Sequence, residues 1–170
     1  MTRKQRARSY EWHDPQELAR TVFGREHLDW MNAMANGELP PAPFATTLGM
    51  RPERAEAGHV TFSMDLHEWM ANPAGVVHGG MAATILDSVM TLAVMTHLPR
   101  GKFCTTTDLN VHFVRPLFPN GERAVADGHA VHIGLSLGTA EGRLVDARGK
   151  IIAHGTGSFA ILDATSAVPR

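Results

Sequence analysis

The spacing of apolar residues changes character along the chain, and each change marks an element. From Asp14 to about Asn36, Leu18, Val22, His27/Leu28, Met31 and Met34/Ala35 recur near helical spacing. Asp14-Pro15 supplies a cap and a first-turn proline, and Asn36-Gly37 a stop, so one helix is predicted there. Leu39-Pro-Pro-Ala-Pro43 excludes helix and reads as an extended linker. Val60 to Met64 alternates as a strand does, with Phe44 to Met50 as a short partner. Gly79 to Leu98 is helical and stops at Pro99-Arg-Gly101. Thr105 to Arg115 alternates at period two, with Leu109, Val111 and Phe113 on one face and Asn110, His112 and Val114 on the other. Arg123 to His132, Leu137 to Asp146 and Lys150 to Leu162 are three further strands, the last two joined by a tight turn at Ala147-Arg-Gly149. One helix followed by four strands leaves no room for crossover helices. The expected fold is therefore α+β, an antiparallel sheet packed on a single long helix. Texture divides the chain into an N-terminal arm with helix and Pro-rich linker (1–43), a main domain (44–163) and a short tail (164–170).

The long helix is apolar almost all round, which implies burial on most sides. Its polar exceptions, Thr84, Asp87, Ser88 and Thr91, fall at i, i+3, i+4 and i+7 and form one stripe. A sheet curling around the helix takes the apolar faces, and the stripe looks out toward something else.

Composition narrows the class. Sixteen Lys and Arg against seventeen Asp and Glu give a formal net charge of −1, so electrostatics provides no general reason to expect nucleic acid as partner. The single cysteine, Cys104, excludes an intramolecular disulfide framework and multi-Cys metal sites. Met1 to Arg8 is basic, but no apolar run follows it as in a secretory signal, and a solvated terminus is the simpler reading. The longest apolar stretch, Met81 to Met95, carries the polar stripe and is no membrane span. The expectation is a cytoplasmic protein without membrane contact.

Asp87 is the residue to explain. An aspartate amid Ile85, Leu86, Val89 and Met90 is either satisfied by nearby hydroxyls or a working carboxylate. The segment ahead of it favours work. Asn72-Pro-Ala-Gly75-Val-Val-His78-Gly79-Gly80 runs straight into the helix, and two glycines there carry a helix penalty of roughly 1 kcal/mol each. Such glycines make sense where something approaches the backbone closely, and bare N–H groups at a helix start suit a developing oxyanion. Asp87, however, lies eight residues beyond Gly79, about 12 Å along the axis. If both serve one reaction, the carboxylate comes from a second subunit whose helix runs antiparallel alongside, giving a homo-oligomer with two sites per dimer.

The Asn72-x-x-Gly75-x-x-His78-Gly79-Gly80 motif, with Asp87 nine residues after the histidine, resembles the hotdog-fold acyl-CoA thioesterases of the PaaI-like branch. The resemblance runs from about Phe44 to Leu162 and includes the strand Thr107-Asp108-Leu109-Asn110-Val111-x-Phe113-x-Arg115-Pro116; the N-terminal 40 or so residues lie outside it. It implies a six-stranded antiparallel sheet wrapped around one helix, homodimers or homotetramers, interfacial sites and an acyl-CoA substrate. By position, Asp87 becomes general base or nucleophile toward the thioester carbonyl, and the Gly79 N–H polarises its oxygen. Asn72 helps place the attacking water or the thioester, while His78 and Gly80 complete the substrate-holding loop. Thr106 falls where related enzymes carry a hydroxyl that assists the water. Thr105, Thr106 and Thr107 are consecutive, so a slip of one residue exchanges the face. Arg115 and Arg123 become partners for the coenzyme A phosphates. Sulfur donates little resonance to a thioester carbonyl, so a carboxylate suffices, and neither metal nor other cofactor is expected.

Other signals point elsewhere. Gly134-Leu-Ser136-Leu-Gly138, followed by Asp146 and His154, matches a nucleophile-elbow pattern, but Thr139 onward continues as strand where a helix is required. His129 and His132 alternate to opposite faces of a regular strand and do not easily share a metal. Two rivals remain: an enoyl-CoA hydratase or dehydratase on the same fold, which usually uses a histidine base, and a non-catalytic acyl-CoA-binding regulator, which needs no carboxylate beside the thioester.

Overall fold

The computed structural model describes residues 4–164; the expected tail from 165 onward lies outside the described residues. Three short helices come first: α1 (Pro15–Phe23), α2 (His27–Ala35) and α3 (Pro43–Leu48). Strands β1 (Met50–Glu56) and β2 (His59–Asp65) form a hairpin, and the long helix α4 spans Gly79–Met95. Then follow β3 (Lys102–Phe113), β4 (Arg123–Ile133), β5 (Leu137–Val145) and β6 (Ile151–Asp163). All six strands pair antiparallel in the order β1-β2-β4-β5-β6-β3, so β1 and β3 are the two edges.

The sheet curls around α4, as its apolar circumference requires. Ile85, Leu86, Val89, Met90, Ala93 and Val94 are fully buried. They meet inward-facing positions that are mostly small on β4 to β6, among them Ala124, Ala126, Ala140 and Ala153, with Leu144 and Phe159 filling the ends. The closest approach is at Gly128, where an added Cβ would stand 2.4 Å from the Val89 carbonyl carbon. The polar stripe Thr84, Asp87, Ser88 and Thr91 stays half-exposed, as do Met81, Ala83 and Leu92, and Asp87, Ser88 and Thr91 face the opening between the two sheet edges. Among the described residues no helix is long and apolar enough to cross a membrane.

The structure departs from the sequence pattern at four places. The single expected N-terminal helix is two. Asp14 Oδ1 caps α1 by accepting from the Gln16 N–H at 2.8 Å, but the chain breaks at Gly24. Gly24, Arg25 and Glu26 add no apolar side chain to the stripe, and glycine weakens a helix by about 1 kcal/mol. The expected strand at 44–50 is instead α3. Pro43 occupies the first turn of a helix, where a missing N–H is harmless, and Gly49 ends it in the left-handed region at φ +72°.

The other two departures are bulges. On β3, Thr106 pairs with Phe159 and Asp108 with Ser158, leaving Thr107 as an extra residue. On β4, Ala130 pairs with Ala140 and His132 with Thr139, leaving Val131 extra. That second bulge places His132 on the face of His129, contrary to simple alternation.

Candidate active site

The β3 bulge decides where the Thr106 hydroxyl points. Without it, Thr106 would share a face with Asn110 and His112; with it, Thr106 sits opposite the inward-facing Phe159 and turns toward α4. Its Oγ1 donates to Asp87 Oδ1 at 2.7 Å. Thr91 Oγ1 lies 3.4 Å from the same hydroxyl. The stripe's own hydroxyls do not satisfy Asp87. Thr84 donates to the Gly80 carbonyl and Ser88 to the Thr84 carbonyl, each at 2.8 Å, within their own helix. Thr107 points away and donates to the Ser158 carbonyl.

Beside this pair lies Cys104, whose Sγ donates to the Thr91 carbonyl at 3.5 Å. Burial, with a smaller contribution from the Asp87 charge, pushes its thiol up to about 12. A thiol held that high stays protonated and is no nucleophile at neutral pH.

Asp87, Ser88, Thr91 and Thr106 form one polar wall of a cavity of about 470 Å³. The opposite walls are apolar and come from α1, α2, the 41–45 segment, Pro52 and Phe62. The cavity thus fills the opening between the sheet edges. Sequence reasoning left the arm without a role; the amphipathic stripe Leu18, Val22, Trp30 and Met34 was the available signal, but nothing local says what it faces.

The loop before α4 forms a second cluster. Asn72 Oδ1 accepts from the Ala74 N–H at 2.9 Å and its backbone N–H donates to the Val76 carbonyl, so the side chain braces its own turn. His78 is the N-cap of α4, its Nδ1 accepting from the Gly80 N–H at 3.0 Å. The Gly79 N–H makes no hydrogen bond among the described residues. Both glycines have local reasons as well. A Cβ on Gly79 would meet the Phe113 ring at 3.1 Å, and one on Gly80 would meet His78 Nδ1 at 3.0 Å.

The structure therefore brings Asp87 to Thr106, and Asn72 to His78, Gly79 and Gly80, as two clusters at different levels of one helix. Arg115 follows Phe113 near the second cluster, its Nη1 donating to the Ile151 carbonyl at 2.7 Å. Arg123 belongs to neither. It begins β4 beside Asp65 of β2, with Glu53 and Asp65 carboxylates each 3.5 Å away.

Comparison with known proteins bears on what this arrangement is. The family model of the thioesterase superfamily matches residues 74–153, a segment holding both Asp87 and Thr106. A Halobacterium salinarum relative with an esterase designation is 36% identical over 125 residues, which cover 67% of this chain and 81% of the relative. The chain belongs to the thioesterase superfamily. Human acyl-coenzyme A thioesterase 13, also similar, is 32% identical over 102 residues, covering 59% of this chain and 71% of the human one. A solved structure from Ralstonia eutropha, of a phenylacetic acid degradation-related protein, superposes with a TM-score of 0.68 at 28% identity, covering 77% of this chain and 98% of that one. The six-stranded sheet around one helix is the hotdog fold of this thioesterase group.

The competing motifs do not assemble on this thioesterase fold. Ser136 lies in the β4–β5 hairpin, Asp146 accepts from the Arg148 and Lys150 N–H groups in the next turn, and His154 stacks on His112 at 5.2 Å. Although His129 and His132 share a face, His129 stacks on His59 at 4.1 Å. No group of three or more potential metal ligands forms among the described residues.

Proposed function

We propose that this chain hydrolyses acyl-CoA thioesters to the free acid and coenzyme A, with Asp87 as general base. The observation that carries this reading is the hydrogen bond from Thr106 to Asp87 at the wall of an apolar cavity. Because the Thr106 hydroxyl gives its only proton to Asp87, its oxygen is free to accept from a water. That water would lie between Thr106 and the second carboxylate oxygen. Asp87 takes a proton as the water oxygen attacks the thioester carbonyl, and the tetrahedral intermediate then expels the thiolate, which recovers the proton. This geometry favours base over nucleophile.

The oxyanion needs a donor that Asp87's own helix does not bring near it. The unpaired Gly79 N–H at the start of α4 suits the role only when presented by a second copy, since about 12 Å separates the two levels within one chain. The open edge of the sheet supports such pairing. β3 is twelve residues long, carries Thr106 and exposes Leu109 and Phe113. Asn72 and His78 would hold the loop in shape, and Arg115 would meet coenzyme A phosphate. Arg123 is the weaker phosphate partner, its charge already met by Glu53 and Asp65. Release of free thiol, and not a change in enoyl absorbance, separates this reading from the hydratase.

The test is thiol release from a panel of acyl-CoA thioesters by the wild type and Asp87→Asn, with the mass of both in solution measured by light scattering. A loss of about 10²–10⁴-fold in an assembly of unchanged mass is expected. Full activity in the variant, or turnover by a strict monomer, would overturn the carboxylate role or the shared site respectively.

A further inference from the structure

The N-terminal arm packs in an unusual way for two amphipathic helices. α1 has no buried residue, and Leu18, Ala19, Val22 and Phe23 on its apolar face are only half-covered. All four line the cavity, and Val22 also packs against the edge of the core. α1 is held lightly, by Val22 against the core edge and by an edge contact of Phe23 on Phe103 with ring centroids 6.1 Å apart. By contrast α2 is anchored firmly. Trp30 and Met31 are buried, and His27, 2% exposed, reaches across to the Lys102 carbonyl at 2.8 Å. A firmly seated helix and a lightly held one thus form one wall, directly across from Asp87 and Thr106.

That wall offers no hydrogen bonds. The one polar atom that α2 could lend, Trp30 Nε1, is already given to His27 Nδ1 at 3.2 Å. The remaining lining of α1 and α2 is Pro15, Leu18, Ala19, Val22, Phe23 and Met34. A hydroxyl or charge on a group lying there would be stripped of water with nothing to replace it. A carbon chain would gain roughly fourfold in binding for each methylene that enters.

We propose that α1 and α2 enclose the acyl-binding chamber of this chain, that the chamber takes an apolar acyl group without polar substituents, and that α1 sets the longest chain it admits. The proposal rests on the thioesterase reading for the position of the thioester at Asp87. Leu18 and Val22, one helical turn apart, are the residues that set the limit.

The experiment uses the full chain with a ladder of saturated acyl-CoA thioesters from two to sixteen carbons. In parallel, binding of the matching S-alkyl-CoA thioethers, which cannot be hydrolysed, is measured by calorimetry. Leu18→Trp and Val22→Trp fill the chamber from a helix with no fully buried residue, Leu18 being the cleaner of the two because Val22 also touches the core; Arg20→Trp, on the exposed face, is the control. Each filling variant should lower kcat/KM and thioether binding at least tenfold for the longest chains the wild type accepts. The shortest should change no more than about twofold, and Arg20→Trp should leave the ladder unchanged. Leu18→Ala should extend the ladder upward. Turnover with the same ladder in all variants, or a uniform loss at every length, overturns the role of α1 and leaves the thioesterase reading standing. Absence of thiol release, with thioether binding that still shifts with length in Leu18→Trp, overturns the hydrolase and keeps the chamber. No length dependence in either assay overturns the chamber.

Discussion

Replacing Thr106 with valine removes one hydroxyl and leaves the branched shape and the strand in place. The lost interaction is a single hydrogen bond of 2.7 Å to a carboxylate. Bonds to charged groups contribute about 1.5–3 kcal/mol, and the half-exposed setting of Asp87 argues for the lower end of that range. A loss near 1.5 kcal/mol in the transition state is roughly tenfold in rate. Misplacing the water as well carries the loss toward 10²-fold. The expected result is therefore a fall of about 10–100-fold in kcat/KM for thiol release, chiefly in kcat. Thr106→Ser should stay within about threefold of the wild type. The control that makes the experiment sharp is Thr107→Val, one residue away, whose hydroxyl serves the Ser158 carbonyl on the other face. Thr107→Val should behave as wild type. Equal losses in both valine variants, or more than half the activity left in Thr106→Val, would refute the bulge geometry on which the reasoning stands.

Three further predictions concern stability and reactivity. Burial holds the His27 imidazole below its ordinary value of 6.5, and both ring nitrogens are committed, to Lys102 and Trp30. Since the folded state prefers the neutral ring, this contribution is complete above pH 6.5 and is lost as pH falls below it; thermal melts should show His27→Gln losing less than the wild type between pH 8 and pH 5, and parallel curves would contradict this. Gly128→Ala places a methyl group 2.4 Å from the α4 backbone at Val89, which cannot step aside as a side chain could. Overpacking of about 1–3 kcal/mol should lower Tm by roughly 2–12 °C, and an unchanged melt would show that α4 moves freely. With its thiol near 12, Cys104 in the native protein should resist iodoacetamide at pH 8 and react once the chain is unfolded, as mass spectrometry would report; rapid native labelling would place it in a different environment.

Much of the architecture is legible from residue spacing because its elements are long and their partners regular. α4 declares itself by an apolar circumference interrupted by one stripe, and β2 to β6 by alternation. Asp87 and the loop from Asn72 to Gly80 stand out because glycines and a carboxylate are expensive where they occur. What spacing hides are insertions that leave no chemical mark. Nothing in Thr105-Thr106-Thr107 announces a bulge, yet that bulge alone turns Thr106 toward Asp87. The bulge at Val131 is equally silent and reverses the expected face of His132. The placement of α1 and α2 at the cavity is hidden for another reason: an amphipathic stripe states that it will be covered, not by what. The α3 helix is hard to see because Pro43 follows prolines that forbid helix, whereas a proline at the first turn begins one.

The two sides of the cavity have separate origins along the chain. Asp87, Ser88, Thr91 and Thr106 lie within the segment that matches the superfamily, 74–153, while α1, α2, Pro52 and Phe62 all precede it. On the proposed reading, reactivity and selectivity are written in different stretches of sequence and are free to drift at different rates. Two descendants of one ancestor could keep the same hydrolytic wall and exchange the other, and a comparison confined to the shared segment would score them as alike. Grafting the first 48 residues between such relatives would carry substrate preference with them, without altering a single atom that touches the reacting carbonyl.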